Sequence, residues 1–484
     1  MSELERPGPL TQHAMLVIWG HFAHQIGLIQ AMNAVALHQK TYRHRPQTKV
    51  LAVLVATLAG VAHLKEISHS AHPLDQDQAV AAAWQQPAWA DASGVSRTLQ
   101  ALSLAEAEAI GQALEAISQP FIDREVVLAM RTHGRLVYDG DLTGRPVSNS
   151  STSYPNVAYG YMSDALCLGY QAALVSLHSP TYGRVWLSVR PHPGNTIACT
   201  QAEAIILAAE ARTGVRPRRR VELLRQRLAA ITAARQQAEA RLATAQQALT
   251  AIHAQANDLS QHRQHWQHEI QRLEAVAQAR QRPERPHSQV ATARQRLLVC
   301  ERRMARQPRL IERAQQRVLR QQRQVEARAA IEASLTSRLA RFEDENRRNP
   351  TPVEAVFRLD AGFGTGENVA LLIEMGYDVY TKPYHHQVTT RLRRTVSETT
   401  AWTRVGANAE VVAWSNQQMA GCPYPLELAL ERFYTGATVR YSTLLHSGSA
   451  PVIGDLLPWF QFYNGRQLIE AGIKEGKTSF KCTI

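Results

Sequence analysis

The feature that most constrains the fold is a segment without glycine, residues 217–349, in which apolar side chains recur at alternating steps of four and three. This spacing is the heptad pattern of a coiled coil. One series covers 224–273, and a second repeats every seven residues at Leu297, Met304, Ile311, Val318 and Val325. Pro283 and Pro286 separate the two series. The sequence therefore predicts an antiparallel coiled-coil hairpin, with a kink at Pro308 in its second helix.

The helix faces of this hairpin are rich in arginine, which leaves two interpretations open. In the first, the hairpin contacts DNA directly. In the second, it is a solvated element used for spacing or dimerisation, because arginine-rich helix faces often serve only solubility.

Length and charge limit the class of protein. A chain of 484 residues is long enough for two or three domains, each with its own core. The net charge is +13 and the isoelectric point is about 9.7, mainly because of arginine, whose forked guanidinium group suits phosphate. A polyanionic partner is the leading explanation, and a soluble protein with no such partner is the alternative.

Cysteine usage and hydropathy favour a reducing cytoplasm and no membrane partner. The five cysteines form no Cys-x-x-Cys pair, which argues against a disulfide framework and a zinc cluster. The most apolar stretch, 50–64, is shorter than the roughly 20 residues that a membrane span needs, so it predicts a buried helix.

Changes of pattern divide the chain into four parts. Residues 1–125 are predicted as a helical N-terminal domain for DNA binding or dimerisation, and 126–215 as strands followed by a helix. The hairpin occupies 216–350, and the α/β pattern resumes over 351–484 with a strand-rich insertion at about 385–455. The hairpin is therefore expected to interrupt one α/β domain.

Within the N-terminal part, residues 74–102 predict two helices around a turn, the second opened by Ser93 or Ser96. A helix-turn-helix would place Ser96, Arg97 and Gln100 at DNA. An ordinary helical pair in a packed bundle is an equal alternative.

The stretch "FRLDAGFGTGENVALLIEMGYDVY", residues 357–380, resembles the cofactor loop of an S-adenosylmethionine-dependent methyltransferase. Its glycines alternate after Asp360, but such patterns are weak when taken alone. The next strand ends in Thr381 and Lys382, where that fold normally has an acidic residue for the ribose. The order of elements, short-linked strands followed by a helix and then alternating strand and helix, instead suits an RNase H-like mixed sheet.

The chain is predicted to end on one helix from about 458 to 476. Five residues spaced three and four apart would share one face of it: Tyr463, Arg466, Glu470, Lys474 and Lys477. One carboxylate among cations and a tyrosine suits contact with phosphate and metal, although a salt-bridged surface helix has the same spacing.

Three motifs in this order resemble the DDE transposases of bacterial insertion sequences, in the branch marked by Tyr-x2-Arg-x3-Glu-x6-Lys. Asp141 lies in an Asp-x-Thr context with Thr143, and Asp360 lies in a pattern like Arg-x-Asp-x-Gly-Phe that runs from Arg358 to Phe363. The terminal helix carries the complete four-residue motif. The resemblance covers the α/β parts of the chain.

The resemblance implies an RNase H-like catalytic domain in which Asp141, Asp360 and Glu470 hold two Mg²⁺ or Mn²⁺ ions, since hard cations prefer carboxylate oxygens. Such a metal pair activates water or a DNA 3′-hydroxyl and stabilises the leaving oxygen. The residues implied to grip DNA phosphates are Tyr463, Arg466, Lys474 and Lys477.

The implied function is transposition: binding terminal inverted repeats in double-stranded DNA, then metal-dependent strand cleavage and transfer into target DNA. A homodimer associated with the bacterial nucleoid in the cytoplasm is the expected form. The chain ends 14 residues after Glu470, and relatives continue further, so an inactive or truncated DNA-binding derivative is the alternative.

The sequence leaves the first metal ligand open, because Asp139 faces the same side of its strand as Asp141. The Asp-x-Thr context favours Asp141. Trp402 and Trp414 are candidates either for stacking on an extruded base or for a core position.

Overall fold

The computed structural model describes residues 10–40, 43–149, 154–162, 165–281, 285–436 and 438–478, with side chains described up to Glu475. The described residues form two compact units. The first combines the chain up to Arg218 with the chain from Thr351, and the second is Arg219–Pro350. The predicted mixed α/β class and the long helices are confirmed.

The first unit begins with seven helices. They are α1 Ala14–Gln25, α2 Leu28–Ala34, α3 Pro46–Leu58, α4 Glu66–His69, α5 Gln78–Ala83, α6 Ala92–Ala101 and α7 Leu104–His133. The first six enclose an apolar core in which Ile29, Leu51 and Trp84 are almost completely buried. None of the helices in the described ranges is both long enough and apolar enough to cross a membrane.

Helices α5 and α6 lie where the sequence predicted a helical pair. The N-cap of α6 is Asp91, whose side chain accepts a hydrogen bond of 2.6 Å from Gly94 N. The prediction that Ser93 or Ser96 opens this helix is therefore wrong. Arg97 and Gln100 are exposed on α6.

Helix α7 crosses the predicted boundary at residue 125. Ser103 and Glu106 form a capping box at its start, and Gly134, with φ of 67°, ends it. Val126 and Ala129 are buried on one helical face, so the β-branched residues that suggested a change of pattern at Val126 belong to a helix. Tertiary packing overrides their strand preference.

A ten-stranded mixed sheet follows. Its strands are β1 Arg135–Pro146, β2 Ala158–Met162, β3 Ala165–Ser179, β4 Gly183–Pro193, β5 Glu354–Leu359, β6 Asp378–Thr381, β7 Thr403–Arg404, β8 Ala409–Met419, β9 Cys422–Thr435 and β10 Thr438–Ser447. Their order is β2-β3-β1-β5-β6-β10-β9-β8-β7, and β4 also pairs with β3. Strands β1, β5 and β6 are parallel, and the other pairings are antiparallel.

Helix α8, Ala202–Thr213, links β4 to the end of the first chain segment and packs on β3 and β4. Val353 N donates a hydrogen bond of 3.2 Å to Arg216 O, so the chain leaves the sheet unit and returns to it at neighbouring residues. Helix α12, Gly366–Glu374, joins β5 to β6.

The strand-rich region predicted at 385–455 continues the main sheet. It opens with α13, His386–Thr395, and its strand β10 pairs antiparallel with β6. The sheet is therefore uninterrupted from β2 to β7.

The single terminal helix predicted over 458–476 is wrong. The structure has two helices, α14 Leu456–Asn464 and α15 Gln467–Thr478, which are separated at Gly465 and Arg466. Tyr463 and Glu470 consequently belong to different helices, so the predicted face shared by all five residues is wrong, and of the five only Glu470, Lys474 and Lys477 lie on one helix.

The second unit consists of three helices, α9 Val221–Ala279, α10 Gln289–Met304 and α11 Gln307–Arg347. Both α10 and α11 pack on α9. Ion pairs join Arg225 to Glu343 and Arg235 to Glu332, each at 2.5 Å, which shows that α9 and α11 run antiparallel. Pro308 lies in the first turn of α11, where its missing N–H is tolerated, so the predicted kink is a helix break.

Within this hairpin, the buried residues match the predicted heptad series on α9 but not on α10 and α11. All fully buried residues of α9 belong to that series: Leu224, Ala238, Ala245, Leu259 and Ile270. On α10 and α11 the predicted series from Leu297 to Val325 is only half-buried. Most fully buried residues there lie three positions further along, in a second heptad row: Ala293, Cys300, Gln307, Leu335 and Phe342.

Candidate active site

Two aspartates lie side by side where the parallel pairing of β1 with β5 ends. The register pairs Gly140 of β1 with Leu359 of β5, so the next residues, Asp141 and Asp360, lie side by side. Asp141 is 9% exposed, and its carboxylate accepts a hydrogen bond of 2.9 Å from Leu142 N. The structure thus brings together two predicted ligands that are far apart in sequence.

The glycines after Asp360 allow close packing against protein. A Cβ at Gly362 would lie 2.9 Å from Ala198 Cβ and 3.1 Å from Asp360 Oδ1. A Cβ at Gly364 would overlap the carbonyl oxygen of Lys382, and one at Gly366 would overlap that of Ala420. Gly362 therefore meets side chains, and Gly364 and Gly366 meet the backbone of neighbouring loops, which accounts for all three without a bound nucleotide cofactor.

The other acidic residue of β1, Asp139, forms a buried ion pair with an arginine. Arg358 donates to it twice, from Nε at 2.6 Å and from Nη2 at 2.8 Å, and both side chains are almost fully buried. Asp141 has no such partner cation at hydrogen-bond distance among the described residues. This difference favours Asp141 as the ligand and gives Asp139 a supporting position.

The junction between α14 and α15 packs against the end of β5, next to these aspartates. Tyr463 is 5% exposed, and its hydroxyl group donates a hydrogen bond of 3.3 Å to Leu359 O. Lys382 Nζ lies 5.5 Å from the centre of the Tyr463 ring. A residue packed in this way anchors the junction to β5, so its expected contact with DNA phosphate does not fit its position.

Glu470 lies one turn after the junction and forms an ion pair with Arg466, at 2.6 Å between Oε1 and Nη2. Its side chain is 55% exposed, whereas that of Arg466 is 11% exposed. Lys474 is exposed further along α15. Lys477 lies in the last turn of α15, and its side chain is outside the described residues.

Electrostatic coupling joins the three acids and Arg466 in one site. The pKa of Asp141 is raised to about 6, mainly by burial and then by the charges of Asp360 and Glu470, while Arg466 and the hydrogen bond from Leu142 oppose the rise. Burial also raises the pKa of Asp360. Burial lowers the pKa of Arg466, but the nearby Tyr463 and the three acids outweigh it, and the net shift is upward.

The carboxylates of β1 and β5 fit a divalent cation. Among the described residues, Asp360 Oδ1 is buried without a hydrogen-bond partner, and the missing side chain of Gly362 leaves space beside it. Within the described ranges, no three His, Cys, Asp or Glu side chains already stand in a metal-holding arrangement. Glu470 is instead paired with Arg466.

Sequence reasoning missed the residues that support this site. Thr381 Oγ1 donates a hydrogen bond of 2.9 Å to Asp360 O, and Lys382 forms an ion pair of 3.0 Å with the buried Glu431. Arg184 of β4 donates to Leu468 O on α15. These contacts join residues that are distant in sequence, and the apolar and motif patterns carry no signal for them.

Other candidates lie outside the carboxylate cluster. Trp402 and Trp414 are both half-buried, and the guanidinium group of Arg432 lies 4.0 Å from the Trp402 ring centre. An arginine already covers one face of Trp402.

No protein-family model matches this chain, and no curated protein matches it significantly.

Proposed function

We propose that this protein is a DDE-type transposase that binds the inverted repeats at the ends of its element and catalyses metal-dependent DNA cleavage and strand transfer. The observation that carries the proposal is that Asp141 and Asp360 lie side by side where the pairing of β1 with β5 ends, with Glu470 electrostatically coupled to both. Three acids from distant parts of the chain share one site, as two-metal phosphoryl transfer requires.

The strand arrangement supports an RNase H-like catalytic domain. Its central order is β4-β3-β1-β5-β6, with β3 antiparallel to both of its long neighbours and with β1, β5 and β6 parallel. A helix follows β4, and another connects β5 to β6. In this proposal the two aspartates lie on the first strand and directly after the fourth strand of such a sheet, where the pairing of these two strands ends.

The seam burial of α9 and its antiparallel ion pairs support a coiled coil for Arg219–Pro350. We assign this hairpin to spacing or dimerisation. The proposed homodimer would bring two element ends together, and a DNA substrate implies association with the nucleoid.

Asp141, Asp360 and Glu470 would hold two Mg²⁺ or Mn²⁺ ions. When bound, these ions supply an activated hydroxyl nucleophile and stabilise the leaving oxygen. Arg466 has a second role, since its Nη1 is buried without a hydrogen-bond partner among the described side chains. In this proposal that donor orients a phosphate oxygen at the cut, while Lys474 and Lys477 contact the DNA backbone farther along α15.

A basic surface beside the site supports DNA as the substrate. Helix α13 exposes Arg391, Arg393 and Arg394, and within the described ranges no carboxylate forms an ion pair with them. Tyr384 N donates to Gly364 O at 2.9 Å, so the loop leading into α13 contacts the loop that follows Asp360. This α13 surface is therefore placed to follow a DNA backbone that enters the site.

The test uses duplex DNA made from the inverted repeats that flank the gene, with Mg²⁺ or Mn²⁺. Wild-type protein is expected to nick or cleave the repeat end and to join it to target DNA. Asp360→Asn and Glu470→Gln are expected to bind the same DNA without cleaving it. If these variants cleave as well as wild type, the proposed catalytic site is wrong.

A DNA-binding protein without catalysis is the second candidate, favoured by the ion pair that ties Glu470 to Arg466. It predicts tight binding to the repeats and no cleavage with either metal. Nicking that disappears in Asp360→Asn would reject it.

A further inference from the structure

We propose that Arg358 is a positioning residue that fixes the junction between α14 and α15 and thereby sets the location of Glu470. This inference rests on the proposed function, because Glu470 is assigned there as a metal ligand. Arg358 touches neither the proposed ions nor the DNA in this assignment. It acts through the junction.

The first step is the anchor on β1. Asp139 and Arg358 are register partners on adjacent parallel strands, and the carboxylate accepts two hydrogen bonds from one guanidinium group. The side chains are 2% and 4% exposed, so solvent cannot replace either contact. A two-point contact fixes the plane of the guanidinium group as well as its position.

The second step is the contact with α14. The remaining nitrogen, Arg358 Nη1, donates a hydrogen bond of 2.8 Å to Phe462 O, near the end of that helix. The guanidinium carbon lies 5.0 Å from the centre of the Phe462 ring. Carbonyl groups at a helix C-terminus carry partial negative charge and lack helical partners, so a cation there is favourable.

The third step is the close approach at Gly465. A Cβ at this residue would lie 2.7 Å from Arg358 Nη1, closer than a carbon and a nitrogen can pack. The absent side chain lets the guanidinium group lie against the backbone where α14 ends. Arg466 follows immediately, and Glu470 is on the next turn.

The other side of the junction is held independently. Arg184 of β4 donates to Leu468 O, and a Cβ at Gly472 would lie 2.8 Å from Arg184 Nη1. Two arginines from different strands therefore hold the backbone on either side of Arg466. Buried ion pairs are weak sources of net stability, whereas a fixed junction is what a ligand on α15 needs.

Gly465→Ala is the deciding variant, because it adds one methyl group against Arg358 and changes no charge. The control is Gly454→Ala, in the loop before α14, where nothing lies within 4 Å of a new Cβ. Arg358→Lys is the second variant, since it keeps the charge and loses the forked contact. Each folded variant is measured for Mn²⁺ affinity by electron paramagnetic resonance without DNA, for DNA affinity and for cleavage.

Gly465→Ala and Arg358→Lys are expected to weaken Mn²⁺ binding by about 10-fold or more, as changes around metal ligands do, whereas the Gly454→Ala control binds Mn²⁺ and DNA like wild type. Normal Mn²⁺ affinity and cleavage in folded Gly465→Ala, beside loss of both in Glu470→Gln, would overturn the positioning role and leave the transposase proposal intact. If Glu470→Gln itself changes neither, the proposed function fails instead. A lowered melting temperature with unchanged Mn²⁺ affinity would show that the contact is only structural.

Discussion

Arg466 and Glu470 form an ion pair of 2.6 Å within the carboxylate cluster, so a metal ion at this site must compete with a guanidinium group for Glu470. The same cation opposes the raised pKa values of Asp141 and Asp360, which shows that its charge reaches all three acids. Arg466 thus balances the charge of the cluster.

Removal of this guanidinium group should separate metal binding from cleavage. Arg466→Ala frees Glu470 and makes the site more negative, so we expect about fivefold tighter Mn²⁺ binding, equivalent to about 1 kcal/mol for an ion pair with an exposed partner. Cleavage should fall, because a phosphate-binding donor is lost. Mn²⁺ titration and single-turnover cleavage measure the two effects, and weaker Mn²⁺ binding would contradict this charge balance.

The pKa of Asp141 predicts how stability depends on pH. Its folded value of about 6 is above the usual aspartate value of 3.8, so the stabilisation from the protonated carboxyl is complete below about pH 4 and is lost as pH rises through 6. Asp141→Asn should therefore stabilise the metal-free protein at pH 7 by up to about 3 kcal/mol. Thermal unfolding at pH 5 and pH 7 measures this, and the gain should be smaller at pH 5.

Metal binding should show the opposite dependence on pH. A proton on Asp141 competes with the cation, so the affinity for Mn²⁺ should fall as pH decreases below about 6. Titrations between pH 5 and pH 8 test this. An affinity that is constant over this range would remove Asp141 from the ligand set.

The glycine loop predicts a steric pattern in stability. Gly364→Ala and Gly366→Ala place a methyl group on the backbone of residues 382 and 420, and each should destabilise the protein by about 1–3 kcal/mol. Gly111→Ala on α7 is the control, since nothing lies within 4 Å and alanine is the better helix former by about 1 kcal/mol. Urea unfolding measures the free energy of unfolding, which should fall in Gly364→Ala and Gly366→Ala and rise in Gly111→Ala.

The α13 surface predicts a change in salt dependence. Arg391→Ala and Arg394→Ala should each weaken DNA binding regardless of sequence and reduce the slope of log affinity against log salt by about 1. Arg131→Ala, an exposed arginine of α7, is the control. Slopes that match the control would exclude this surface from the DNA interface.

Local patterns predicted the long helices and the early strands because those signals lie within short windows. The second heptad row of the hairpin escaped prediction because Gln321 and Arg328 occupy it as well as apolar residues. The break at Gly465 was missed for a different reason. Helical spacing continues across it in the sequence, whereas the contact of Gly465 with the guanidinium group of Arg358, more than 100 positions away, is visible only in the fold.

The candidate site shows the same division. Motif resemblance proposed Asp141, Asp360 and Glu470; the fold brings Asp141 and Asp360 side by side and leaves Glu470 within electrostatic range of them. The burial of Tyr463 was not predictable, because it depends on a contact with Leu359 that exists only when β5 and α14 are packed. The partner of Asp139 was equally hidden until the register of β1 and β5 was known.

The hydrogen bond between Arg216 and Val353 has a consequence for how this chain can change in length. Because the chain leaves and re-enters the sheet unit at hydrogen-bonded neighbours, the segment between them is an insertion whose two ends lie next to each other. Insertions or deletions of whole heptads there would leave the distance between Asp141 and Asp360 unaltered. We therefore expect the hairpin to tolerate changes of length, or replacement by another hairpin, without a change in the relative positions of the two aspartates.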